Sequence, residues 1–240
     1  MRLLVSVFGG VALAAAASMA TATTALAPDA VPPAPRATPI PGMAGVYDAA
    51  AAAGRLPAAD RAPTHVHEVH GLVVPLAGIG VPEAEELLPN SPREYRAGIH
   101  EGIDFPAALA TPVLAAAAGT VVRVDSQFTD WDAPTREAAL AAATGLGYTP
   151  SRTLDLIRGR QVWIDHGGGI VTRYAHLSAV APLVVGARVA AGTQIGAVGS
   201  SGLPEGGPHL HFEVRVGDDF LGDGLSGPAL ARLLAIAFRP

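Results

Sequence analysis

Three short segments of this 240-residue chain place histidines and acidic residues at spacings that suit metal chemistry. They are His100-Glu101-Gly102-Ile103-Asp104, Tyr174-Ala175-His176-Leu177-Ser178 and Pro208-His209-Leu210-His211-Phe212-Glu213. Each segment alone is a weak indication, since a turn, a partly buried histidine or a surface strand explains it equally well. Together, two histidines and a carboxylate are a common ligand set for a catalytic zinc ion that keeps one position open for water. Two further histidines can then transfer protons near that water.

Spacing decides which of these side chains can meet. His209 and His211 are two residues apart in a predicted strand, so their side chains share one face about 6–7 Å apart. A straight strand would separate His100 from Asp104 by roughly 13 Å, although two ligands of one zinc ion each lie only about 2 Å from it. The segment must therefore bend, and Gly102 permits a bend because it has no Cβ. We assign Glu213 to the face opposite His211 and do not predict it as a ligand.

The order and context of these motifs resemble the lysostaphin-type, or LytM-domain, zinc metallopeptidases, which cut peptide cross-links in peptidoglycan. The similar stretch covers residues 93–216 and is interrupted by the insertion at 126–160. Besides the three histidine motifs, the matching segments within it are 111–115, 118–122, 164–167, 189–196 and 198–202. The resemblance implies that Zn²⁺ is bound by His100, Asp104 and His211. It further implies that His176 and His209 are catalytic partners rather than ligands.

The remaining tyrosine and histidine candidates are weaker. The resemblance implies a tyrosine shortly before the first ligand that stabilises the transition state; Tyr95 is a candidate, and an ordinary surface tyrosine is the alternative. His65, His67 and His70 do not have the spacing that places two ligands one helical turn apart, so we predict a solvated lead-in strand. His166 lies in a predicted hairpin turn and is interpreted as structural.

The elements that must position these residues are mainly strands. Short β-branched runs divided by Gly and Pro predict an antiparallel β domain, with runs at 72–75, 120–124, 162–164, 169–174, 188–189, 194–198 and 211–216. Residues 165–169 predict a hairpin loop. Residues 126–160 predict a helical insertion, with a first helix opened by Asp132 and Pro134 and closed by Gly145. Residues 229–240 predict a terminal helix whose apolar side carries Leu230, Leu233, Leu234 and Ala237.

The N-terminal part of the chain has a different character. Residues 1–27 combine a basic start, an apolar centre and small residues, which predicts a secretory signal peptide; an uncleaved anchor is the alternative, and the cleavage point is open. Residues 28–64 are rich in Ala and Pro and predict an extended linker, and the peptidase-like domain then covers 65–228. Since no later segment is long and apolar enough to cross a bilayer, we expect export and no membrane span in the mature chain.

Composition excludes several classes of function. The chain has no Cys, so it has no thiol nucleophile and no Cys-ligated metal. A net charge of −5 without an arginine cluster argues against nucleic acid as a partner. The family resemblance and the predicted signal peptide together imply an exported zinc metalloendopeptidase that acts on peptidoglycan stem or cross-link peptides, in the periplasm, cell wall or extracellular space. The alternatives are a non-catalytic LytM-type envelope regulator or wall-binding module, whose insertion would dock on an envelope protein, and a secreted protease acting on Gly-rich proteins.

Overall fold

The structure is a computed structural model that describes residues 69–239. Its strands are β1 (Pro92–Arg93), β2 (Gly98–Ile99), β3 (Ile103–Pro106), β4 (Pro112–Leu114), β5 (Gly119–Val124), β6 (Val162–Gly167), β7 (Ile170–Ala175), β8 (Ala179–Val180), β9 (Arg188–Val189), β10 (Gln194–Ala197), β11 (His209–Val216) and β12 (Asp219–Phe220). Its α-helices are α1 (Ala133–Leu146), α2 (Ser151–Arg158) and α3 (Gly227–Ala237). The predicted signal peptide and linker, with His65 and His67, lie outside the described residues.

All strand pairs described below are antiparallel, which confirms the predicted fold class. The large sheet has the order β12-β11-β7-β6-β5-β9, and β3 pairs with β11 beside this path. A smaller sheet has the order β4-β10-β8, and β1 pairs with β2. Strand β11 is therefore held by β7 on one side and by β3 on the other. This central position lets it carry functional side chains on a rigid support.

Alternation along β11 separates the core from the functional face. Leu210, Phe212, Val214 and Val216 are buried in the hydrophobic core together with Phe105, Tyr174 and other apolar side chains. The intervening residues point to the other face of the sheet, because successive side chains of a strand alternate. They are His209, His211, Glu213 and Arg215. The core thus holds β11 on one face of the sheet, and the polar side chains line the opposite face, which we call the functional face.

The helical insertion lies between β5 and β6, as predicted. Helix α1 begins after Asp132, whose Oδ1 accepts a hydrogen bond from the Thr135 amide at 2.7 Å, a normal N-cap arrangement. The predicted closure at Gly145 is wrong by two residues, because Gly147 adopts the left-handed conformation (φ 76°) that ends the helix. The insertion is fastened to the loop before β11: Trp131 Nε1 donates to the Gly202 carbonyl oxygen at 2.7 Å.

Two further predictions have clear outcomes. Helix α3 buries Leu230, Leu233, Leu234 and Ala237, as its apolar spacing predicts. The strand predicted at 72–75 is wrong: the Leu72 amide donates to the Ala237 carbonyl and the Val73 amide to the Ala116 carbonyl. These hydrogen bonds go to different elements, so the segment joins no ladder. Among residues 69–239 no helix has the length and apolar character needed to cross a membrane.

Candidate metal centre

The three predicted metal ligands meet on the functional face of the large sheet. Asp104 of β3 is the direct cross-strand partner of His211 of β11. His100 reaches the same point because the chain bends between β2 and β3, as predicted. Gly102 lies at this bend, where a Cβ would collide with the Phe212 carbonyl group. The close approach of these two backbones therefore requires glycine.

The donor atoms of the three ligands form a compact triangle. His100 Nε2 lies 3.0 Å from Asp104 Oδ1 and 3.0 Å from His211 Nδ1. His211 Nδ1 lies 2.8 Å from Asp104 Oδ1. Ligand atoms of one tetrahedral zinc ion, with bonds of about 2.0 Å, lie about 3.3 Å apart. The three atoms thus fit one zinc ion with only small side-chain adjustments, and the ligand type matches a catalytic site with an open position.

Each of the three candidate ligands is also held by a contact on its side away from the triangle. His100 Nδ1 lies 2.9 Å from the Leu88 carbonyl oxygen, which can only accept, so Nδ1 carries the proton and the Nε2 lone pair faces the site. Arg93 Nη2 donates to Asp104 Oδ2 at 3.1 Å, leaving Oδ1 for the metal. Such outer contacts fix ring orientation and tautomer at metal sites. Arg93 is a supporting residue that the sequence motifs did not reveal.

Glu213 supplies the outer contact of the third ligand, His211. The assignment of Glu213 to the opposite face is wrong, because residues two apart in a strand share a face. Its Oε1 lies 3.0 Å from His211 Nε2, and the side chain has 0% exposure. Glu213 thus lies outside the triangle of donor atoms and contacts His211, the candidate ligand that precedes it by two residues. The spacing alone contained this signal.

Three arginines surround the Glu213 carboxylate. Arg158 Nε donates to Oε1 at 2.6 Å and Arg173 Nη1 to Oε2 at 3.2 Å, while Arg215 Nη1 lies 3.7 Å from Oε2. Burial alone raises the pKa of Glu213, but the charges of Arg158 and Arg173 and the hydrogen bond with His211 hold that pKa well below its ordinary value. The carboxylate is thus ionised, and Arg158 brings the end of the insertion into contact with it.

The two predicted catalytic histidines lie beside the triangle. The His176 and His209 rings are 4.6 Å apart between centroids, and the His176 and His211 rings 5.8 Å apart. His209 Nε2 lies 3.7 Å from Asp104 Oδ1, and His209 Nδ1 lies 2.9 Å from the Gly207 carbonyl oxygen. His176 Nδ1 lies 2.9 Å from the Ser201 carbonyl oxygen. In both rings Nδ1 must therefore donate, and Nε2 is left as an acceptor.

Electrostatics separates these histidines into two kinds. Burial lowers the pKa of His100 to about 4 and that of His176 to about 3, so both rings are neutral at neutral pH. Burial also opposes the charged form of His211, but its hydrogen bonds and charge interactions with Asp104 and Glu213 raise its pKa. Burial raises the pKa of Asp104, yet the interactions with His100 and His211 place it well below its ordinary value. Neutral His100 and His176 rings thus lie beside an ionised Asp104 carboxylate.

The remaining candidates, Tyr95, His166 and His70, are not among the residues gathered at the triangle. Tyr95 is 44% exposed in the turn Glu94–Arg96, and its part in catalysis stays a prediction. His166 binds the Ala118 carbonyl oxygen and the Thr172 hydroxyl, both at 2.8 Å, which agrees with a structural role. His70 is exposed at the start of the described residues.

An antiparallel β domain that gathers two histidines and an aspartate at one point, with two more histidines beside them, is the arrangement that the resemblance to the lysostaphin-type metallopeptidases implies. Residues 126–222 match the profile of Peptidase family M23, and the predicted resemblance to this family is confirmed. This match includes His176, His209 and His211, whereas His100 and Asp104 precede it.

Individual relatives are similar over about half of the chain. It is 35% identical over 118 residues, 49% of this chain and 20% of the relative, to the DD-carboxypeptidase/endopeptidase Mpg of Neisseria meningitidis serogroup B. It is 32% identical over 125 residues, 52% of this chain and 22% of the relative, to the peptidoglycan DD-endopeptidase ShyA of Vibrio cholerae. The crystal structure of a zinc-containing peptidase from Vibrio cholerae shares 26% identity, covering 54% of this chain and 30% of that chain, with a TM-score of 0.38. The chain spans about a fifth of the length of these curated relatives.

Proposed function

We propose that this protein is an exported zinc metalloendopeptidase that hydrolyses peptide cross-links of bacterial peptidoglycan. The observation that carries the proposal is the meeting of His100, Asp104 and His211 within hydrogen-bond distance of one another, beside two acceptor histidines. A structural metal site needs no such neighbours, since its fourth position is closed by another ligand. The M23 family match and the peptidoglycan enzymes among the relatives favour this substrate.

His100, Asp104 and His211 would hold the zinc ion. When bound, zinc supplies a Lewis acid that lowers the pKa of a water molecule and polarises the scissile carbonyl group. The protein contributes neutral imidazoles, because burial keeps the pKa of His100 at about 4. Glu213 and Arg93 hold two of the ligands from outside, so that the donor atoms stay in place without reorganisation.

His209 and His176 divide the proton work. His209 Nε2 is an acceptor that faces the Asp104 oxygen of the triangle, and we assign it as the base that takes the proton of the attacking water and returns one to the leaving amine. His176 has its Nδ1 proton committed to the Ser201 carbonyl oxygen. Its Nε2 can therefore accept a hydrogen bond and orient the water, but cannot donate one to an oxyanion.

Two substitutions and one control test this proposal. Purified His211→Ala should contain no zinc and should not clear a suspension of purified murein. His209→Ala should keep about one zinc ion per chain and lose at least a hundredfold in rate, the lower range for a general base. His70→Ala removes an exposed histidine that is not part of the His100–Asp104–His211 group, and this variant should behave as wild type. Metal analysis and murein turbidity measure both properties.

The same measurements address the alternative function. A wild-type protein with one zinc ion per chain but no murein digestion would favour the non-catalytic envelope regulator. Digestion by His209→Ala at the wild-type rate would refute the assigned proton roles while leaving the metal site intact. Mass spectrometry of the released muropeptides would then identify the bond that is cut.

A further inference from the structure

The loop between β10 and β11 supplies the acceptors for both predicted catalytic histidines. His176 Nδ1 lies 2.9 Å from the Ser201 carbonyl oxygen, and His209 Nδ1 lies 2.9 Å from the Gly207 carbonyl oxygen. A carbonyl oxygen can only accept, so each contact places the proton on Nδ1 and leaves Nε2 as the acceptor. The orientation of these backbone groups therefore sets the tautomer of both rings.

The acceptor of His176 belongs to a peptide unit that the insertion contacts directly. The Ser201 carbonyl group and the Gly202 amide are the two polar groups of one peptide unit, and in a trans peptide they point in opposite directions. On the amide side, Gly202 N–H donates to Asp130 Oδ1 at 2.5 Å. Asp130 lies in the part of the insertion that leads into helix α1. A chain of hydrogen bonds thus runs from Asp130 through this peptide unit to the His176 ring.

This chain of hydrogen bonds has an electrostatic direction. A carboxylate that accepts from an amide forms a charge-assisted bond, which is shorter and stronger than a neutral one. Because linked hydrogen bonds polarise one another, the Ser201 oxygen becomes a better acceptor for the Nδ1 proton of His176. His176 and Ser201 are buried, whereas Asp130 is exposed. The effect of Asp130 therefore reaches the buried ring through the peptide unit.

The next residue of the insertion fixes the adjoining peptide unit. Trp131 Nε1 donates to the Gly202 carbonyl oxygen at 2.7 Å, so two consecutive side chains bind both backbone polar groups of Gly202. Gly202 has a φ of 82°, and a Cβ there would collide with the Ile157 carbonyl oxygen. The loop is thus packed against the end of helix α2, and rotation of the Ser201–Gly202 peptide unit would break its bonds to Asp130 and His176.

The end of the insertion holds the backbone of His176. The His176 amide donates to the Arg158 carbonyl oxygen at 2.8 Å, and the Leu177 amide donates to the Arg160 carbonyl oxygen at 3.0 Å. His176 has a φ of 60°, a left-handed conformation that is uncommon for residues other than glycine. Such strain persists only where the surrounding contacts enforce it. The start of the insertion thus holds the acceptor of the His176 ring, and its end holds the His176 backbone.

The Ser201 side chain joins these two sets of contacts. Its hydroxyl accepts a hydrogen bond from the Arg160 amide at 2.9 Å and donates one to the Leu177 carbonyl oxygen at 2.9 Å. Ser201 is therefore fixed by the end of the insertion through its side chain and by the start of the insertion through its peptide unit with Gly202. These contacts hold the acceptor of His176 in one orientation.

We propose that Asp130 is a positioning residue that holds His176 in the tautomer with the proton on Nδ1, through the Ser201–Gly202 peptide unit. Trp131 supports this role by holding the Gly202 carbonyl group. The catalytic consequence rests on the proposed peptidase function, in which His176 Nε2 accepts a hydrogen bond from the attacking water. The insertion thus positions a catalytic histidine from outside the triangle of ligands.

Imidazole NMR measures the proposed effect directly. Long-range proton–nitrogen correlation spectra of the zinc-loaded protein distinguish a protonated ring nitrogen from an unprotonated one, and His176→Gln identifies the signals of His176. Wild-type His176 should carry its proton on Nδ1. In Asp130→Ala the ratio of the Nδ1–H form to the Nε2–H form should fall about threefold to tenfold, the change expected for loss of one hydrogen bond.

Three further variants test the route of this effect. Asp130→Asn keeps an acceptor oxygen beside the Gly202 amide and should retain most of the Nδ1–H form. Trp131→Phe removes the indole N–H and should shift the ratio in the same direction by a smaller factor, because Trp131 binds the adjoining peptide unit. Asp132→Ala is the matched control. Asp132 is also exposed, but its Oδ1 caps helix α1, so the His176 signals should stay unchanged.

Two other measurements report the consequences. Hydrogen exchange of the Gly202 amide should be slow in the wild type and faster in Asp130→Ala, because the amide loses its acceptor. With a soluble cross-linked muropeptide, Asp130→Ala should lower kcat in proportion to its loss of the Nδ1–H form, by up to about tenfold. Its KM and zinc content should stay as in wild type, because Asp130 acts through His176 and not through a ligand.

The outcomes separate this inference from the proposed function. A wild-type His176 protonated on Nε2, rapid exchange of the wild-type Gly202 amide, or unchanged His176 signals in Asp130→Ala would overturn the positioning role, even in a protein that digests murein. An equal shift in Asp132→Ala would also overturn it, because general loosening of the insertion would then be sufficient. Loss of the Nδ1–H form with a wild-type kcat would refute the catalytic consequence. Conversely, the expected tautomer shift in a protein that never digests murein would refute the peptidase function and leave the role of Asp130 standing.

Discussion

Replacement of Glu213 by glutamine is the sharpest single test of how this metal centre is held. The change keeps the size of the side chain but removes the charge that faces His211 Nε2 at 3.0 Å. It also deprives Arg158 and Arg173 of their shared carboxylate. The glutamine amide can still accept one hydrogen bond, so the variant removes charge rather than all contact.

The expected magnitudes follow from burial. Removing one partner of a buried ion pair costs about 3–5 kcal/mol, and the remaining amide oxygen places Glu213→Gln near the lower value. A loss of about 3 kcal/mol lowers the melting temperature of a domain of this size by about 6–12 °C. Loss of the orienting contact to a ligating histidine weakens metal binding about tenfold to a hundredfold.

Two measurements keep stability and metal binding apart. Thermal unfolding of the zinc-free protein reports the cost to the fold. Competition with a chromophoric chelator at neutral pH, well below the unfolding temperature, reports zinc affinity. Glu137→Gln is the matched control, because Glu137 is exposed on helix α1; it should leave both quantities unchanged.

The result that would refute the reasoning is a folded Glu213→Gln protein that binds zinc as tightly as wild type. In that case the contact between Glu213 and His211 would serve only the fold. A variant with lower melting temperature and weaker zinc binding supports the assigned role, provided that Arg158→Lys, which keeps the charge beside Glu213, gives a smaller effect on both.

Three further predictions follow from the same structure. The pKa of Glu213 is low in the folded protein, so its carboxylate stabilises the fold above its ordinary pKa of about 4.3 and loses this contribution as the pH falls further. The free energy of unfolding of the zinc-free protein, measured in urea, should therefore decrease below about pH 4. The decrease should be less steep in Glu213→Gln. Free zinc at a hundred times its dissociation constant should stabilise the domain by about 2.7 kcal/mol, which corresponds to a rise of about 5–11 °C in melting temperature. His211→Ala should abolish this rise. An equal rise in that variant would contradict the ligand assignment. Gly202 has a φ of 82°, and a Cβ there would collide with the Ile157 and Leu156 carbonyl oxygens. Gly202→Ala should therefore cost about 1–3 kcal/mol and speed proteolysis within 126–160, whereas Gly145→Ala, with open space around it, should not.

The sequence was informative where a residue type and a local spacing were sufficient. Alternation in β11 predicted that His209 and His211 share a face, and the need for a bend at Gly102 followed from the distance between zinc ligands. The N-cap at Asp132 was also visible, because its chemistry is local. These features depend on a few neighbouring residues and not on how the sheet is assembled.

Long-range contacts could not be predicted in the same way. No local pattern joins Arg93 to Asp104 Oδ2 or Arg158 to Glu213, since these pairs depend on strand order and on the path of the insertion. Arg123, Trp163 and Arg173 likewise lie side by side only because β5, β6 and β7 pair in one register. The wrong assignment of Glu213 to the opposite face had another cause. The two-residue period of a strand already predicts that Glu213 and His211 share a face, so the local pattern was sufficient.

The insertion helps to hold the candidate metal centre through Arg158. Helix α2 ends at Arg158, whose guanidinium contacts both Glu101 and Glu213. Deleting the whole insertion would therefore uncover the buried Glu213 carboxylate that contacts His211, so loss of activity would not show whether the insertion also acts on the substrate. Helix α1 does not contain Arg158. Substituting Arg158 alone therefore tests the support of His211 through Glu213 while the rest of the insertion stays in place.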